Sequence, residues 1–450
     1  MENQTTDVQV QQSSGTPAAP PKQKVKRSPI WFLPGFIAGI IVGVVAAGLC
    51  LSLISGGLIT TSVVKKLASL SAMMDGYYYN YNEADTSNEN RQENLYKGLV
   101  ESLNDPYSVY YTQTEYKDLQ ESLSGSYSGI GAYLSTDKGT GYPCIAKVME
   151  GSPAEKAGLK GGDVIVKIDG ESTDGMDLDT VVSKVRGEDG TTVTLTVARS
   201  TEAEYLDIEV TRGTIETPEV TSKVLENDIG YLAIAEFDTV TTDQFQQNLQ
   251  DLYDQNIRGL IIDLRDNPGG DVKVVTAVAN ELLPKGLVFY MKDVSGKETD
   301  YTADGKDEIR IPLVVLVNGN SASASEILTG AVQDSGIGVI VGTTTYGKGI
   351  VQTLGQLTDG SAIKLTTAAY FTRGGRSIQG TGITPDVEVE FDSDAYLKDG
   401  TDNQLEKAQE VVQGLIDGKT YPSALDQAES STEDSTEAVT ESSTESESGQ

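Results

Sequence analysis

The chain contains no histidine. That absence removes a Ser-His-Asp triad, a Cys-His pair and any histidine-ligated metal from the candidate chemistries. Cysteine is scarce too. Cys50 and Cys144 are the only two in 450 residues, so neither a disulfide framework nor an all-cysteine zinc site can be built. Positive charge is outweighed: 34 Lys and Arg stand against 67 Asp and Glu, a net charge of −33. A nucleic-acid partner is not expected, because nothing offsets phosphate repulsion. Acid–base chemistry therefore falls to Lys, Asp, Glu or Tyr. The hydrophobic share, 38%, is enough for sizeable cores, and the length suggests about three folding units.

The two ends differ from the middle. Residues 1–28 are polar, rich in Gln, Ser and Pro, and close on a basic cluster of Lys22, Lys24, Lys26 and Arg27. Disorder is expected there. No charge follows until Lys65, and residues 32–54 are almost wholly apolar. As a helix they would span roughly 34 Å, enough for a bilayer and longer than a signal-peptide core. Residues 29–59 are thus read as one transmembrane anchor, N-terminus cytoplasmic and body extracytoplasmic. Cys50 is read as a helix residue, since Leu49 before it is not the small residue that lipoprotein processing needs. Residues 424–450 carry eight acidic residues and no basic ones, a disordered, solvated spacer.

Between them lie three kinds of pattern. Residues 62–114 form a helical region, with helical character expected to reach residue 123. Leu95, Leu99, Val100 and Leu103 recur at helical spacing until Asn104-Asp105-Pro106. Residues 115–213 hold short β-type runs (GIGAYL, PCIAKVM, DVIVKIDG, TVTLTVAR), glycine turns and one helical stretch, which predicts a small, mostly β domain. Residues 214–395 alternate apolar strands (IGYLAIAEF, GLIIDLRDN, PLVVLVNGN) with helices, an α/β layer around a buried, largely parallel sheet. A C-terminal segment, 396–423, adds a helix at 403–417.

Three motifs could carry function. Gly129-Ile130-Gly131-Ala132 opens the β domain. Its glycines can expose backbone N–H groups to a carboxylate, and the strand after it can pair with an extended peptide. The bland reading is a bare turn. DLRDNPGG, 263–270, follows an apolar strand, where α/β sheets present their crevices; a plain strand-to-helix turn is the alternative. Asn318-Gly319-Asn320-Ser321-Ala322-Ser323-Ala324-Ser325-Glu326 follows another buried strand and begins a helix. A hydroxyl there lies near the positive helix end, but Ser323-x-x-Glu326 also fits a capping box. Sequence physics does not choose among the three serines.

A serine nucleophile needs a base, and without histidine lysine is the natural candidate if burial lowers its pKa. Lys348 follows the apolar run GVIVG. On a strand, Lys348, Ile350 and Gln352 would share one face, letting Gln352 hold the amine. The bland alternative is an edge lysine facing water.

Residues 115–200, with the GIGA loop and GSPAEKAGLKGGDVIVKIDG, resemble a PDZ domain. The order of that domain, DLRDNPGG, NSASASE, YGKGIVQ and GRSIQGTGITPDVEVE, with DPYSVYYT before it, resembles the C-terminal processing peptidases, or tail-specific proteases, over residues 85–395. The resemblance implies an α/β crotonase-like (ClpP-related) protease core with an inserted mostly-β PDZ domain. It implies Ser323 as nucleophile, Lys348 as general base and Gln352 orienting it. The amides of Gly269 and Ala324 would form the oxyanion hole, and Gly129, Ile130, Gly131 and Ala132 the peptide-binding loop. No cofactor or metal is implied. Protein or peptide substrates with apolar C-termini and a homodimer are, beside the membrane anchor read above. Signalling and degradative roles both stay open. The alternative is a non-catalytic PDZ adaptor that only holds C-termini; the intact Ser323, Lys348 and Gln352 argue against it.

Overall fold

The computed structural model describes residues 58–80 and 85–425, in two units that divide after Arg91. The apolar run at 32–54, the basic segment before it and the acidic tail from 426 lie outside the described residues. Among those described, no helix is long and apolar enough to cross a membrane. The first unit contributes α1 (Thr61–Tyr77), begun by the Thr60 hydroxyl, which accepts from the Val63 amide at 3.3 Å.

α2 (Asn88–Glu101) follows. Helix was expected to continue to residue 123, but Val109–Tyr111 is a strand, β1. Its β-branched and aromatic residues find a partner far along the chain, which a local pattern cannot reveal. Thr112 and Glu115 then form a capping box that starts α3 (Gln113–Ser124). The domain boundary read at 115 falls inside this helix.

The β domain runs from β2 (Ser126–Gly129) through β3 (Ala132–Thr136), β4 (Pro143–Val148), α4 (Pro153–Ala157), β5 (Val164–Ile168), β6 (Glu171–Ser172), α5 (Leu178–Val185), β7 (Thr192–Ala198) and β8 (Leu206–Thr211) to β9 (Gly213–Glu216). β2 and β9 pair antiparallel, so chain entrance and exit form one ribbon. The sheet order is β3-β4-β5-β7-β8, with β6 beside β5, which leaves β3 an edge. Val193, Leu195 and Val197 alternate inward from β7 onto Ile145, Ile165 and Val181, the period of two that identifies a strand with one wet face.

The remaining elements are β10 (Val220–Leu225), β11 (Ile229–Ile234), α6 (Thr241–Asp254), β12 (Gly259–Asp263), α7 (Val272–Asn280), β13 (Gly286–Asp293), β14 (Glu298–Ala303), β15 (Leu313–Val317), α8 (Ala324–Ser335), β16 (Gly338–Gly342), β17 (Ile350–Gln356), β18 (Ala362–Thr372), β19 (Val387–Glu388), α9 (Ser393–Asp399) and α10 (Asn403–Ile416). The sheet β10-β11-β12-β15-β16-β19 is parallel except at β10. Every residue of β12 and β15 is buried. Leu260, Ile262 and Val315 pack in one core with α6, α7 and α8, while Ile261, Val314 and Leu316 pack on Val411 and Val412 of α10. Each such side chain stabilises the fold by roughly 1.5–3 kcal/mol relative to exposure.

A second sheet, β1-β18-β13-β14 with β17 on β18, is antiparallel throughout. Sequence analysis had not resolved it. Phe289 and Tyr370 carry it into the core shared with α8.

Candidate active site

β12, β15 and β16 are parallel neighbours, so their C-terminal ends open on one edge. The turn after each carries part of the candidate site: residues 264–271, 318–323 and 343–349. This is the edge at which α/β sheets hold ligands.

Ser323 sits at the N-cap of α8 with φ 55° and ψ −111°, a region that non-glycine residues rarely occupy. Both of its backbone groups are held. Its amide donates to Glu326 Oε2 at 2.9 Å, and its carbonyl accepts from the buried Tyr370 hydroxyl at 3.1 Å. Ser323 and Glu326 form the capping box that their spacing suggested, and the Glu326 amide donates to the Ser323 carbonyl at 2.9 Å. The other two serines are committed. Ser321 Oγ donates to the Leu264 carbonyl at 2.7 Å and Ser325 Oγ to the Asn267 carbonyl at 3.0 Å, and both residues are fully buried. Unlike these two, Ser323 Oγ donates to no carbonyl among the described residues.

Lys348 is half-buried in the turn after β16. Burial first, then the nearby Lys364 charge, hold its amine below the usual lysine value, against the pull of Glu326 and Asp105. Its backbone amide donates to Glu326 Oε2 at 2.9 Å. Glu326 Oε1 takes the Thr345 hydroxyl at 2.6 Å and the Gly347 amide at 2.8 Å. One fully buried carboxylate therefore ties the serine turn to the lysine turn. Sequence reading saw Glu326 only as a capping residue; its reach to residues 345–348 depends on how β15 and β16 pair.

Gly269 has φ +111°, and a Cβ there would stand 2.8 Å from Ser323 Cβ and 3.0 Å from the Ala324 nitrogen. The expected pair, Gly269 and Ala324, is thus beside the serine. The Gly269 N–H, however, donates to Asn267 Oδ1 at 2.8 Å, so it is engaged rather than open. Among the described residues the Gly270 and Ala324 amides have no backbone acceptor. Gln352 also departs from expectation. β17 begins at Ile350 and its pairing is bulged between Val351 and Gln352, so Lys348, Ile350 and Gln352 do not share one regular strand face. Gln352 Nε2 donates to Thr366 Oγ1 at 3.2 Å.

The loop Gly129–Ala132 lies in the β domain. Ile130 is buried in that core, and Gly131 has φ +74°, with Ser152 Cβ 2.4 Å from where its own Cβ would be. The Ile130 and Gly131 amides have no backbone acceptor among the described residues. They lead into the free edge of β3, with α5 packed beside it.

One feature has no sequence signal. Glu219, Glu236 and Asp238 line a cavity of about 390 Å³ with Tyr127 and Arg186 of the β domain. Asp238 is 4% exposed and its Oδ1 has no hydrogen-bond partner among the described residues. Burial, then Glu236 and Glu219, push its carboxyl up to about 7.

The profile of Peptidase family S41 matches residues 228–389, and that of the PDZ domain matches residues 145–199. The carboxy-terminal processing protease CtpA of Bacillus subtilis (strain 168) is 34% identical over 341 residues, covering 73% of this chain and 72% of that protein. A CtpA-like serine protease of Staphylococcus aureus (strain COL) is 33% identical over 365 residues, covering 76% and 72%. A solved photosystem II D1 C-terminal processing protease is 30% identical, with a TM-score of 0.43, over 74% of this chain and 94% of that one. A PDZ-bearing α/β protein with this degree of kinship is a serine-type endopeptidase of the C-terminal processing class. The chain belongs to peptidase family S41.

Proposed function

We propose that this enzyme is anchored in the membrane by residues 29–59 and cleaves extracytoplasmic proteins near their C-termini through Ser323 and Lys348. The observation that carries this is the Glu326 carboxylate, which accepts from the amides of both residues. Neutral Lys348 takes the Ser323 proton as Oγ attacks the peptide carbonyl. The oxyanion that forms is read to face the Ala324 amide and the Gly269 amide, the latter once its N–H turns from Asn267, each donor typically worth about 3–4 kcal/mol. Protonated Lys348 returns its proton to the leaving amine as the C–N bond breaks. Water, deprotonated by the same lysine, then hydrolyses the acyl-enzyme. Gln352 orients the amine once it turns toward β17.

The core is read as crotonase-like and ClpP-related, as the resemblance implies; its buried parallel sheet fits that reading. The PDZ domain recruits or senses substrate C-termini at Gly129, Ile130, Gly131 and Ala132, with the peptide added along β3. The substrates are proteins with apolar tails. The homodimer belongs to the same reading, and a light-scattering mass of one chain at working concentration would remove it.

The central test uses the full-length chain and a loosely folded protein ending in apolar residues. Wild type, Ser323→Ala and Lys348→Ala are compared by mass spectrometry of the products. Cleavage by wild type only is expected. Equal cleavage by all three would discard the assignment, and binding of the tail with no cleavage would favour the adaptor.

A further inference from the structure

The Lys348 ammonium has no hydrogen-bond or ion-pair partner among the described residues. It lies over the ring of Tyr107, 4.9 Å from the centroid. Tyr107 comes from outside the parallel sheet, in the turn before β1. That turn is pinned on both sides. Ser108 Oγ donates to Asp105 Oδ2 at 2.6 Å and accepts the Thr366 amide of β18 at 3.1 Å. The Tyr107 amide donates to Asp105 Oδ1 at 3.1 Å. The backbone that carries the ring is therefore held in place.

An aromatic face attracts an ammonium and offers the neutral amine little. The contact favours the charged lysine and holds it over the ring. Burial acts the other way, so the two oppose each other at one nitrogen. A general base must shed its proton before it can accept one from serine.

We propose that Tyr107 is a positioning residue for Lys348: its ring parks the protonated amine, and loss of that proton to solvent frees the amine to reach Ser323. This rests on Lys348 being the base, as proposed above. The segment DPYSVYYT thus acts on the chemistry as well as on the fold. Tyr107 itself touches neither substrate nor the reacting oxygen in this scheme.

The test compares full-length wild type, Tyr107→Leu, Tyr107→Phe and Tyr107→Trp. The first readout is kcat/KM against pH. Without the ring, Tyr107→Leu should move the acid limb down by about one pH unit. Tyr107→Phe keeps the ring and should stay within about 0.3 unit, and Tyr107→Trp, with the stronger face, should move the limb up. The second readout needs no activity. In Ser323→Ala, trace acetylation of Lys348 by acetic anhydride is measured against pH by mass spectrometry, with and without each Tyr107 change. The same shifts are expected.

If Lys348 labels as an ordinary lysine, the base assignment fails and the inference with it. If Lys348 labels low but Tyr107→Leu moves neither profile, the inference alone is overturned. It is overturned as well if Tyr107→Phe shifts as far as Tyr107→Leu, since the hydroxyl would then be responsible. Should Tyr107→Leu not fold, the opposite displacement expected of Tyr107→Trp decides the matter.

Discussion

Glu326 Oε2 accepts the Ser323 amide at 2.9 Å inside the protein, one of two bonds on the backbone of a serine at φ 55°. The same oxygen takes the Lys348 amide. Glu326→Gln keeps the shape but turns one accepting end into a donor facing N–H groups. A misplacement of the reacting groups by about 1 Å should lower kcat about 10²-fold, with KM little changed. Glu326→Ala strands three amides and the Thr345 hydroxyl, and should also cost about 3 kcal/mol of stability. Steady-state kinetics and thermal unfolding separate the two effects.

Gly269→Ala tests the approach of the two motif turns. The new Cβ would meet Ala322 O and Ser323 Cβ at 2.8 Å, at a φ of +111°. Backbone on that side cannot yield without moving the serine. Activity should fall more than 10²-fold, with about 1–3 kcal/mol lost. Gly98→Ala, in α2 with nothing within 4 Å, is the control and should stabilise by about 0.5–1 kcal/mol. Equal activity in wild type and Gly269→Ala would count against this packing.

Asp238 predicts a stability that falls as pH rises. Its carboxyl is pushed up to about 7 by burial and by its two acidic neighbours, whereas an unfolded Asp titrates at about 3.9. Between these values the native state holds a proton that the unfolded state has lost, so the group's favourable term, full below pH 4, disappears through pH 7. Asp238→Asn removes this dependence. Between pH 5 and 8 wild type should lose about 2 kcal/mol more than the variant. Thermal unfolding at both pH values checks it; parallel losses would refute it.

Arg265 ties α10 to the end of β12. It binds Asp263 at 2.7 Å and Asp402 at 2.9 Å, and Asp402 also caps α10 through the Leu405 amide. Arg265→Ala leaves two poorly solvated carboxylates unpaired and should cost about 3–5 kcal/mol. Arg265→Lys should recover only part of it, because an ammonium cannot fork between two carboxylates. Unfolding midpoints of the three proteins give the comparison.

Much of the fold was legible where burial is two-sided. β12 and β15 are buried at every residue, so they appear as unbroken apolar runs, and α6 shows a clear apolar stripe of Phe245, Leu249 and Leu252. The antiparallel sheet was not legible. β18 mixes Lys, Thr and Ala with its apolar residues, because its burial is set by strands that come from elsewhere in the chain. β1 is three residues long and pairs with residues 362–364, a partnership no local window contains. The Lys348–Ile350–Gln352 face failed for a similar reason: a bulge interrupts the period of two.

What the sequence determined by itself is the chemistry on offer. With no histidine and two cysteines, acid–base chemistry was left to Lys, Asp, Glu or Tyr, the pairing of a serine with Lys348 came from the resemblance, and the apolar runs placed those motifs at strand ends. Only the tertiary structure decided which serine hydroxyls are committed to backbone carbonyls. Ser321 and Ser325 are held by Leu264 and Asn267, more than fifty residues away, and those bonds exist because β12 and β15 lie side by side. It also decided what surrounds the lysine. Desolvation, the Glu326 tie and the Tyr107 ring come from three distant stretches of chain, and a pKa is set by what is near in space.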